Sequence, residues 1–307
     1  MRIVFFGTPD FAVPSLEALV AAHHTIVFAV TQPDRPRGRS RSNLVPPPVK
    51  ARAESFAIPV LQPERPRGEA FEAALREARA DLGVVVAYGH ILKPEVLAIP
   101  RLGMINVHAS LLPAWRGAGP IQAAIAAGDS TTGVTIMQME AGLDSGPAIL
   151  TRALPIRADE TTGGLTPRLA RLGAEALIEA VELLDKGEAT FTIQDHASAS
   201  YAPKVTRQSA RIDWTAPAVS VANRIRAFDP APGAWTSTRG SEVKLFRPEL
   251  VTGEGVPGTV LSVAPTLTVA AGDGAVAIAE VQPSGRSRMG AAAWLRGNPI
   301  APGDRLV

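Results

Sequence analysis

The chain contains no cysteine, which excludes disulfide bonds, thiolate metal sites and a cysteine nucleophile. An excess of one charge is also missing. The formal net charge is +2 over 307 residues, which does not by itself indicate a nucleic-acid partner. No apolar run reaches membrane-spanning length, and the first residues enter a strand-like run instead of a signal-peptide pattern. We therefore expect a globular protein of the cytoplasm.

The first half of the chain alternates short apolar runs with helical segments. Strands are predicted over 3–6, 25–31, 82–87, 104–108, 134–139 and 148–153, and helices over 11–21, 68–80, 120–127 and 166–186. This alternation is typical of an α/β protein with a doubly wound parallel sheet. The turn Gly7-Thr8-Pro9-Asp10 is not G-x-G-x-x-G, so the dinucleotide-binding fingerprint is absent.

The pattern changes after Gly187. One helix is predicted over 218–227, and strand-like runs separated by glycine and proline follow at 242–246, 258–263, 267–270 and 275–281. Short strands with regular turn signals favour a small β-barrel or sandwich. We therefore predict an N-terminal domain over 1–187, a linking arm over 188–206 and a C-terminal β domain over 207–307.

The candidate chemistry centres on Asn106 and His108. They are two residues apart in a predicted strand, so both side chains point to the same face. An amide can donate to a developing oxyanion and an imidazole can move a proton, which suits a reaction at a carbonyl carbon. Asp144, in a glycine-rich loop after a strand, is a candidate third member, because a nearby carboxylate would orient the ring and favour its charged form.

A second candidate site is a run of alternating arginines, opposed only by Asp34: Arg35, Arg37, Arg39 and Arg41. By composition alone, this run fits a solvated loop as well as it fits a nucleic-acid contact. None of the histidines has a partner at metal-ligand spacing, so no metal site is predicted.

The segment around His108 resembles the folate-dependent formyltransferases. The resemblance rests on Asn106-x-His108, Ser110-Leu111-Leu112-Pro113, Arg116-Gly117 and the later Asp144. Further segments along the whole chain resemble the members that act on methionyl-tRNA. They are 6–12, 31–39, 48–50, 87–89, 133–139, 201–204, 212–214 and 225–228.

This resemblance implies a fold, a reaction and a set of site residues. The implied fold is a Rossmann-like formyltransferase domain followed by a small OB-like β-barrel domain. The implied reaction moves the formyl group of 10-formyltetrahydrofolate to the α-amino group of methionyl-initiator tRNA. Asn106, His108 and Asp144 would be catalytic and no metal would take part. The folate would contact Ser110, Leu111, Leu112, Pro113, Tyr88, Ile91 and Leu92. The tRNA would contact Arg35, Arg37, Arg39 and Arg41, and the C-terminal barrel over 207–307 would hold the body of the tRNA, mainly by phosphate contacts. The family also implies a monomer.

Three alternatives stay open. The acceptor could be an amino sugar nucleotide, although the arginine-rich loop argues against so small a molecule. Water could be the acceptor, which would make the protein a formyltetrahydrofolate hydrolase. Lastly, the basic loop and the barrel could belong to an RNA-binding protein that has no catalytic activity. The presence of all three candidate catalytic residues argues against this alternative.

Overall fold

The computed structural model describes residues 1–37 and 43–307. These residues form two compact units that interleave along the chain. The first unit contains Met1–Gly117, Thr132–Leu154 and Thr166–Tyr201, and the second contains Ala118–Thr131, Pro155–Leu165 and Ala202–Val307. The predicted domain boundaries at 187 and 206 stay a prediction.

The helices are α1 (Val13–Ala21), α2 (Pro48–Ser55), α3 (Glu69–Glu77), α4 (Pro94–Leu97), α5 (Pro120–Ala127), α6 (Thr162–Lys186), α7 (Ala218–Ala227) and α8 (Ala291–Arg296). The strands are β1 (Arg2–Gly7), β2 (Thr25–Val30), β3 (Arg35–Arg37), β4 (Asn43–Val45), β5 (Val60–Leu61), β6 (Leu82–Val86), β7 (Met104–His108), β8 (Arg116–Gly117), β9 (Thr131–Gln138), β10 (Ala148–Pro155), β11 (Tyr201–Ala202), β12 (Ala234–Thr238), β13 (Ser241–Val251), β14 (Val260–Ser262), β15 (Leu267–Ala270), β16 (Ala275–Pro283) and β17 (Met289–Gly290). Short 3-10 turns lie at Asp10–Ala12, His196–Ser198 and Gln208–Ala210.

A seven-stranded sheet in the order β10-β9-β7-β6-β1-β2-β5 organises the first unit. Every residue of β6 is buried, as expected for a central strand covered on both faces. From β1 the chain runs outward to β2 and β5 on one side and to β6 and β7 on the other. The strand order therefore reverses beside β1, and the carboxyl ends of strands at such a point are where α/β sheets bind ligands.

The sheet is mixed, where a parallel sheet was predicted. Strands β1, β2, β5, β6 and β7 pair in parallel, but β9 runs antiparallel to β7, with Asn106 opposite Met137 and His108 opposite Thr135. The apolar alternation of β9 marks it as a strand but carries no information on its direction. The antiparallel neighbour brings Thr135 to the end of β7 that holds His108.

An antiparallel sheet in the order β12-β13-β16-β15-β14 organises the second unit, with β17 on β16. Helix α7 covers one face of it and buries Val221 and Ile225 in the core. The last four residues complete the structure. Val307 exchanges two backbone hydrogen bonds with Ser237 of β12, while Asp304 accepts from Val260 of β14. Because this segment joins the two outer strands, the open edges are covered, as in a closed barrel.

Local patterns predicted several elements to the residue, among them β7, α5, α7 and β15. Helix α1 begins at Val13 and not at Phe11, because a 3-10 turn over Asp10–Ala12 precedes it. Helix α2 and strand β12 were not predicted. Helix α2 buries only Val49 and Ala53, so its apolar periodicity is weak. Across residues 1–37 and 43–307, none of the helices combines the length and the apolar character that crossing a membrane requires.

Candidate active site

Asn106 and His108 lie at the carboxyl end of β7, between β6 and β9. Their spacing on a regular strand places both side chains on one face, as predicted. His108 is 5% exposed, whereas Asn106 is half-buried. The amide is therefore open to a bound molecule, while the imidazole is held among protein groups.

The imidazole of His108 lies between a carbonyl and a carboxylate. Its Nε2 is 3.0 Å from the Trp115 carbonyl oxygen, and its Nδ1 is 3.7 Å from Asp144 Oδ2. Since a carbonyl only accepts hydrogen bonds, this contact assigns the proton of the neutral ring to Nε2. Nδ1 then carries the lone pair, and a proton taken up there would lie beside the Asp144 carboxylate.

The Asp144 carboxylate also accepts a hydrogen bond from the Gly117 backbone N–H, at 2.8 Å from Oδ2. Asp144 has a φ of 47°, in the left-handed region that aspartate tolerates better than most residues. The predicted third member of the site is therefore next to His108, in a turn of unusual backbone geometry.

The turn after β7 is held by one of its own side chains and by one from β9. Ser110 Oγ donates to the Ala114 carbonyl at 2.6 Å. Thr135 Oγ1 donates to the Ser110 carbonyl at 2.8 Å and accepts from the Leu112 N–H at 3.1 Å. A single hydroxyl on β9 therefore ties two backbone groups of the 110–113 turn. Sequence patterns did not indicate Thr135, since its role depends on the antiparallel placement of β9.

Trp115 completes the turn in a strained conformation, with a φ of 60°. A bulky residue in the left-handed region persists only where its surroundings hold it. Here the Trp115 N–H donates to Ser200 Oγ at 2.9 Å, and its carbonyl faces His108. The strained residue, Trp115, is therefore the one whose carbonyl contacts His108.

The segment predicted to line the folate pocket follows β6. The Tyr88 ring is buried and packs edge-on against Phe6, at 5.5 Å between centroids. Burial raises the pKa of the Tyr88 phenol to about 12. Leu92 is also buried, whereas Ile91 is 84% exposed. The three predicted residues therefore differ in exposure. Tyr88 and Leu92 are packed in the protein interior, whereas Ile91 presents an apolar side chain to solvent in the segment after β6.

The base of the arginine-rich loop is anchored by polar contacts. Lys50 Nζ pairs with Asp34 at 2.7 Å. Hydrogen bonds from Lys50 and Gln62 lower the pKa of the Asp34 carboxyl. Arg35 donates to Gln32 Oε1 at 2.7 Å. Asp34, which opposes the arginine run in the sequence, is thus neutralised by a lysine outside that run.

The short strands β3 and β4 pair antiparallel, with Arg37 opposite Asn43. Of the four predicted tRNA-contacting residues, Arg35 and Arg37 lie on β3, while Arg39 and Arg41 lie outside the described residues. Within the part of the chain that the structure describes, no cluster of three His, Cys, Asp or Glu side chains could hold a metal ion.

Two family models match the chain. Residues 1–181 match the model described as formyl transferase, and residues 204–299 match the model described as formyl transferase, C-terminal domain. Among curated proteins, methionyl-tRNA formyltransferases of Jannaschia sp. (strain CCS1) and Ruegeria pomeroyi are each 49% identical over 306 residues and cover all of both chains. The same enzyme of Stutzerimonas stutzeri is 50% identical over 94% of this chain and 92% of its own length.

Solved structures share the fold at lower identity. HypX from Aquifex aeolicus in complex with tetrahydrofolic acid superimposes with a TM-score of 0.67 at 20% identity, over 100% of this chain and 50% of that one. WlaRD, a sugar 3N-formyl transferase, superimposes with a TM-score of 0.69 at 18% identity, over 94% of this chain and 99% of that one. The predicted fold class, an α/β domain followed by a small barrel-like domain, is confirmed.

Proposed function

This chain belongs to the formyl transferase family, and from that premise we propose that it performs the reaction for which its curated relatives are named. It transfers the formyl group of 10-formyltetrahydrofolate to the α-amino group of methionyl-initiator tRNA, which yields the formylmethionyl-tRNA used in translation initiation. Relatives at 46–50% identity over nearly the whole chain support this acceptor. The observation that supports the catalytic assignment is the position of His108 between the Trp115 carbonyl and the Asp144 carboxylate.

In the reaction, the methionyl amine nitrogen bonds to the formyl carbon, and the bond from that carbon to the folate nitrogen breaks. The Asn106 amide donates a hydrogen bond to the formyl oxygen as it gains negative charge. His108 Nδ1 takes a proton from the attacking amine and returns it to the leaving folate nitrogen, so protons balance within the site. Asp144 stabilises the charged ring between these two steps.

The folate would contact two segments at the carboxyl ends of β6 and β7. Ile91 offers an exposed apolar side chain, which fits a flat heterocycle that needs an apolar wall. The 110–113 turn offers a backbone held in place by Thr135. Tyr88 and Leu92 would support the Ile91 segment indirectly, because their side chains pack in the hydrophobic core. No metal is used, since the residues above supply both the proton transfer and the oxyanion contact.

One assay tests the acceptor. The enzyme is incubated with 10-formyltetrahydrofolate and either methionyl-tRNA, an amino sugar nucleotide or no acceptor but water. We expect rapid product formation with methionyl-tRNA alone. Formylation of the sugar nucleotide at a comparable kcat/KM would show that the acceptor is a sugar. Release of formate without any acceptor would show that the protein is a formyltetrahydrofolate hydrolase. No turnover in any arm would favour an RNA-binding protein.

The arginine-rich loop is proposed to hold the tRNA by phosphate contacts, with Arg35, Arg37, Arg39 and Arg41 as the contributing residues. Each phosphate contact that a cation makes displaces bound counterions and therefore steepens the salt dependence of binding. Replacing Arg37, Arg39 and Arg41 together by alanine should lower kcat/KM for methionyl-tRNA. It should also flatten the slope of log(kcat/KM) against log salt by up to about 0.7–0.9 for each arginine–phosphate interaction removed.

The chain supplies a matched control for this experiment. Residues 65–68 repeat the sequence Arg-Pro-Arg-Gly of residues 35–38, and Arg65 and Arg67 are exposed. Replacing these two arginines by alanine should leave the slope unchanged if the loop is responsible. An equal flattening in both variants would mean that general surface charge, and not the loop, attracts the tRNA.

The formylated product is used by ribosomes, so the enzyme is placed in the cytoplasm. The family resemblance implies a monomer.

A further inference from the structure

The segment 194–200 lies between the two regions matched by the family models, 1–181 and 204–299, and it was predicted to be only a linking arm. It belongs to the same compact unit as His108 and Asp144. Its first residue, Gln194, is a neutral polar side chain that is 6% exposed. A buried amide of this kind needs partners for all of its polar groups.

Gln194 uses its full hydrogen-bonding capacity. Its Nε2 donates to the backbone carbonyls of Asp144 at 2.9 Å and Gly146 at 2.7 Å. Its Oε1 accepts from Arg116 Nε at 3.1 Å and Nη2 at 2.7 Å. Because a guanidinium only donates and a carbonyl only accepts, the orientation of the amide is unambiguous.

Arg116, which donates to Gln194, is itself held in place by several contacts. Its side chain is 3% exposed, and a third contact runs from Nη2 to His196 Nδ1 at 3.0 Å. Its backbone N–H donates to the Ser200 carbonyl at 2.9 Å. Arg116 is therefore held at both its backbone and its side chain by residues of the 194–200 segment.

Of the two carbonyls that Gln194 binds, one belongs to Asp144 itself and the other to Gly146, two residues further along the same loop. Asp144 itself has a left-handed backbone. Gly146 lies so close to β9 that a Cβ would collide with the Gln138 carbonyl oxygen. A turn with this geometry is maintained by contacts from outside it, and the Gln194 amide supplies two of them.

The same segment also holds the other partner of His108. Ser200 Oγ accepts from the N–H of Trp115, whose carbonyl accepts from His108 Nε2. The Asp144 carboxylate on one side of the imidazole and the Trp115 carbonyl on the other are therefore both tied to residues 194–200.

We infer that the 194–200 segment positions the catalytic imidazole, with Gln194 as the positioning residue for Asp144 and Ser200 as the positioning residue for Trp115. This inference rests on the proposed function, because it assigns His108 and Asp144 their catalytic roles. Gln194 acts through its two N–H donors, which hold the carbonyls of Asp144 and Gly146. Arg116 keeps the amide in the orientation that makes this possible.

The test separates the donors of Gln194 from its acceptor. In Gln194→Glu the side chain keeps its interaction with Arg116, now strengthened by charge, but has no donor left for the loop. In Gln194→Met both the donors and the acceptor are removed. We expect kcat to fall by about 10- to 100-fold in both variants, because a small displacement of a catalytic group has an effect of this size. KM for either substrate should stay within about threefold, since Gln194 is buried and its polar groups are all bonded to the protein.

The melting temperature distinguishes positioning from a general structural role. Gln194→Glu should melt above Gln194→Met, because only the glutamate keeps an interaction with Arg116, and yet both should be equally slow. Gln282→Met is the matched control. Gln282 Nε2 also donates to a backbone carbonyl, that of Arg286 at 3.1 Å, but in the other unit, and kcat should be unchanged. A Gln194→Glu enzyme with full kcat would overturn the inference, as would a kcat loss that follows the melting temperature.

Asp144→Asn, measured in parallel by single-turnover kinetics, separates this inference from the proposed function. If the two groups act together, adding Gln194→Met to Asp144→Asn should slow the reaction by less than about twofold. A full additional loss would overturn the route through Asp144. If Asp144→Asn alone is slow while both Gln194 variants are normal, only this inference fails. If Asp144→Asn is itself fully active, the catalytic assignment fails and this inference fails with it.

Discussion

Replacing His108 by alanine is expected to lower kcat for formyl transfer about 10²- to 10⁴-fold, the usual contribution of a positioned proton-transfer group. The physical reason is that Nδ1 carries the free lone pair of the ring and lies 3.7 Å from the Asp144 carboxylate. A proton that the ring takes from the attacking amine would therefore lie beside a carboxylate. Rapid-quench measurement of formylmethionyl-tRNA with saturating substrates reports this step directly.

Because His108 is buried, its removal also leaves the Trp115 carbonyl without its donor, so loss of activity could reflect misfolding. His108→Gln addresses this, since an amide can still donate to that carbonyl but cannot accept a proton at neutral pH. We expect it to melt near the unaltered protein and to be as slow as His108→Ala. His23→Asn, at an exposed histidine, is the control and should be fully active. Turnover within about tenfold of normal in His108→Gln would contradict general base catalysis by this residue.

Replacing Asn106 by alanine is expected to lower kcat about 10²- to 10³-fold, as found when one donor to an oxyanion is removed. Asn106 is half-buried at the end of β7, on the face that also carries His108. Since the hydrogen bond strengthens only as negative charge develops, KM for both substrates should change little. The affinity for methionyl-tRNA, measured separately by filter binding, should be unaffected.

Asn106→Asp provides a sharper form of this prediction. The carboxylate has nearly the shape of the amide but carries the charge that the transition state itself develops, so it should be slower than Asn106→Ala. Asn298→Ala removes an amide that donates to the Trp294 carbonyl in the other unit and should leave kcat unchanged. An Asn106→Asp enzyme faster than the alanine variant would show that the amide does not face the formyl oxygen.

Much of the fold could be predicted, because its elements have regular apolar periodicity. Strand β7 and helices α5 and α7 were predicted to the residue, since their pattern depends only on local geometry. The antiparallel direction of β9 was not predicted, and the helix over 48–55 was missed. Strand direction depends on which connection the chain takes, and a helix that buries only two residues shows little periodicity.

The candidate site was predictable in part for the same reason. The pairing of Asn106 with His108 is a local property of an extended strand. The position of Asp144 was only a hypothesis, since 36 residues separate it from His108. Thr135 and Gln194 were not predicted at all, and no signal in the sequence distinguishes them from ordinary polar residues of a strand and an arm.

Local patterns were enough to predict most of the elements, the resemblance to the family and the shared face of Asn106 and His108, because each follows from periodicity or from a motif. The groups that surround the imidazole became known only from the folded chain. The carbonyl of Trp115, the carboxylate of Asp144 and the amide of Gln194 reach it or each other across gaps of 7, 36 and 50 residues. Contacts over such separations depend on how the chain folds back on itself. They produce no local repeat in the sequence, so a search for periodic patterns does not find them.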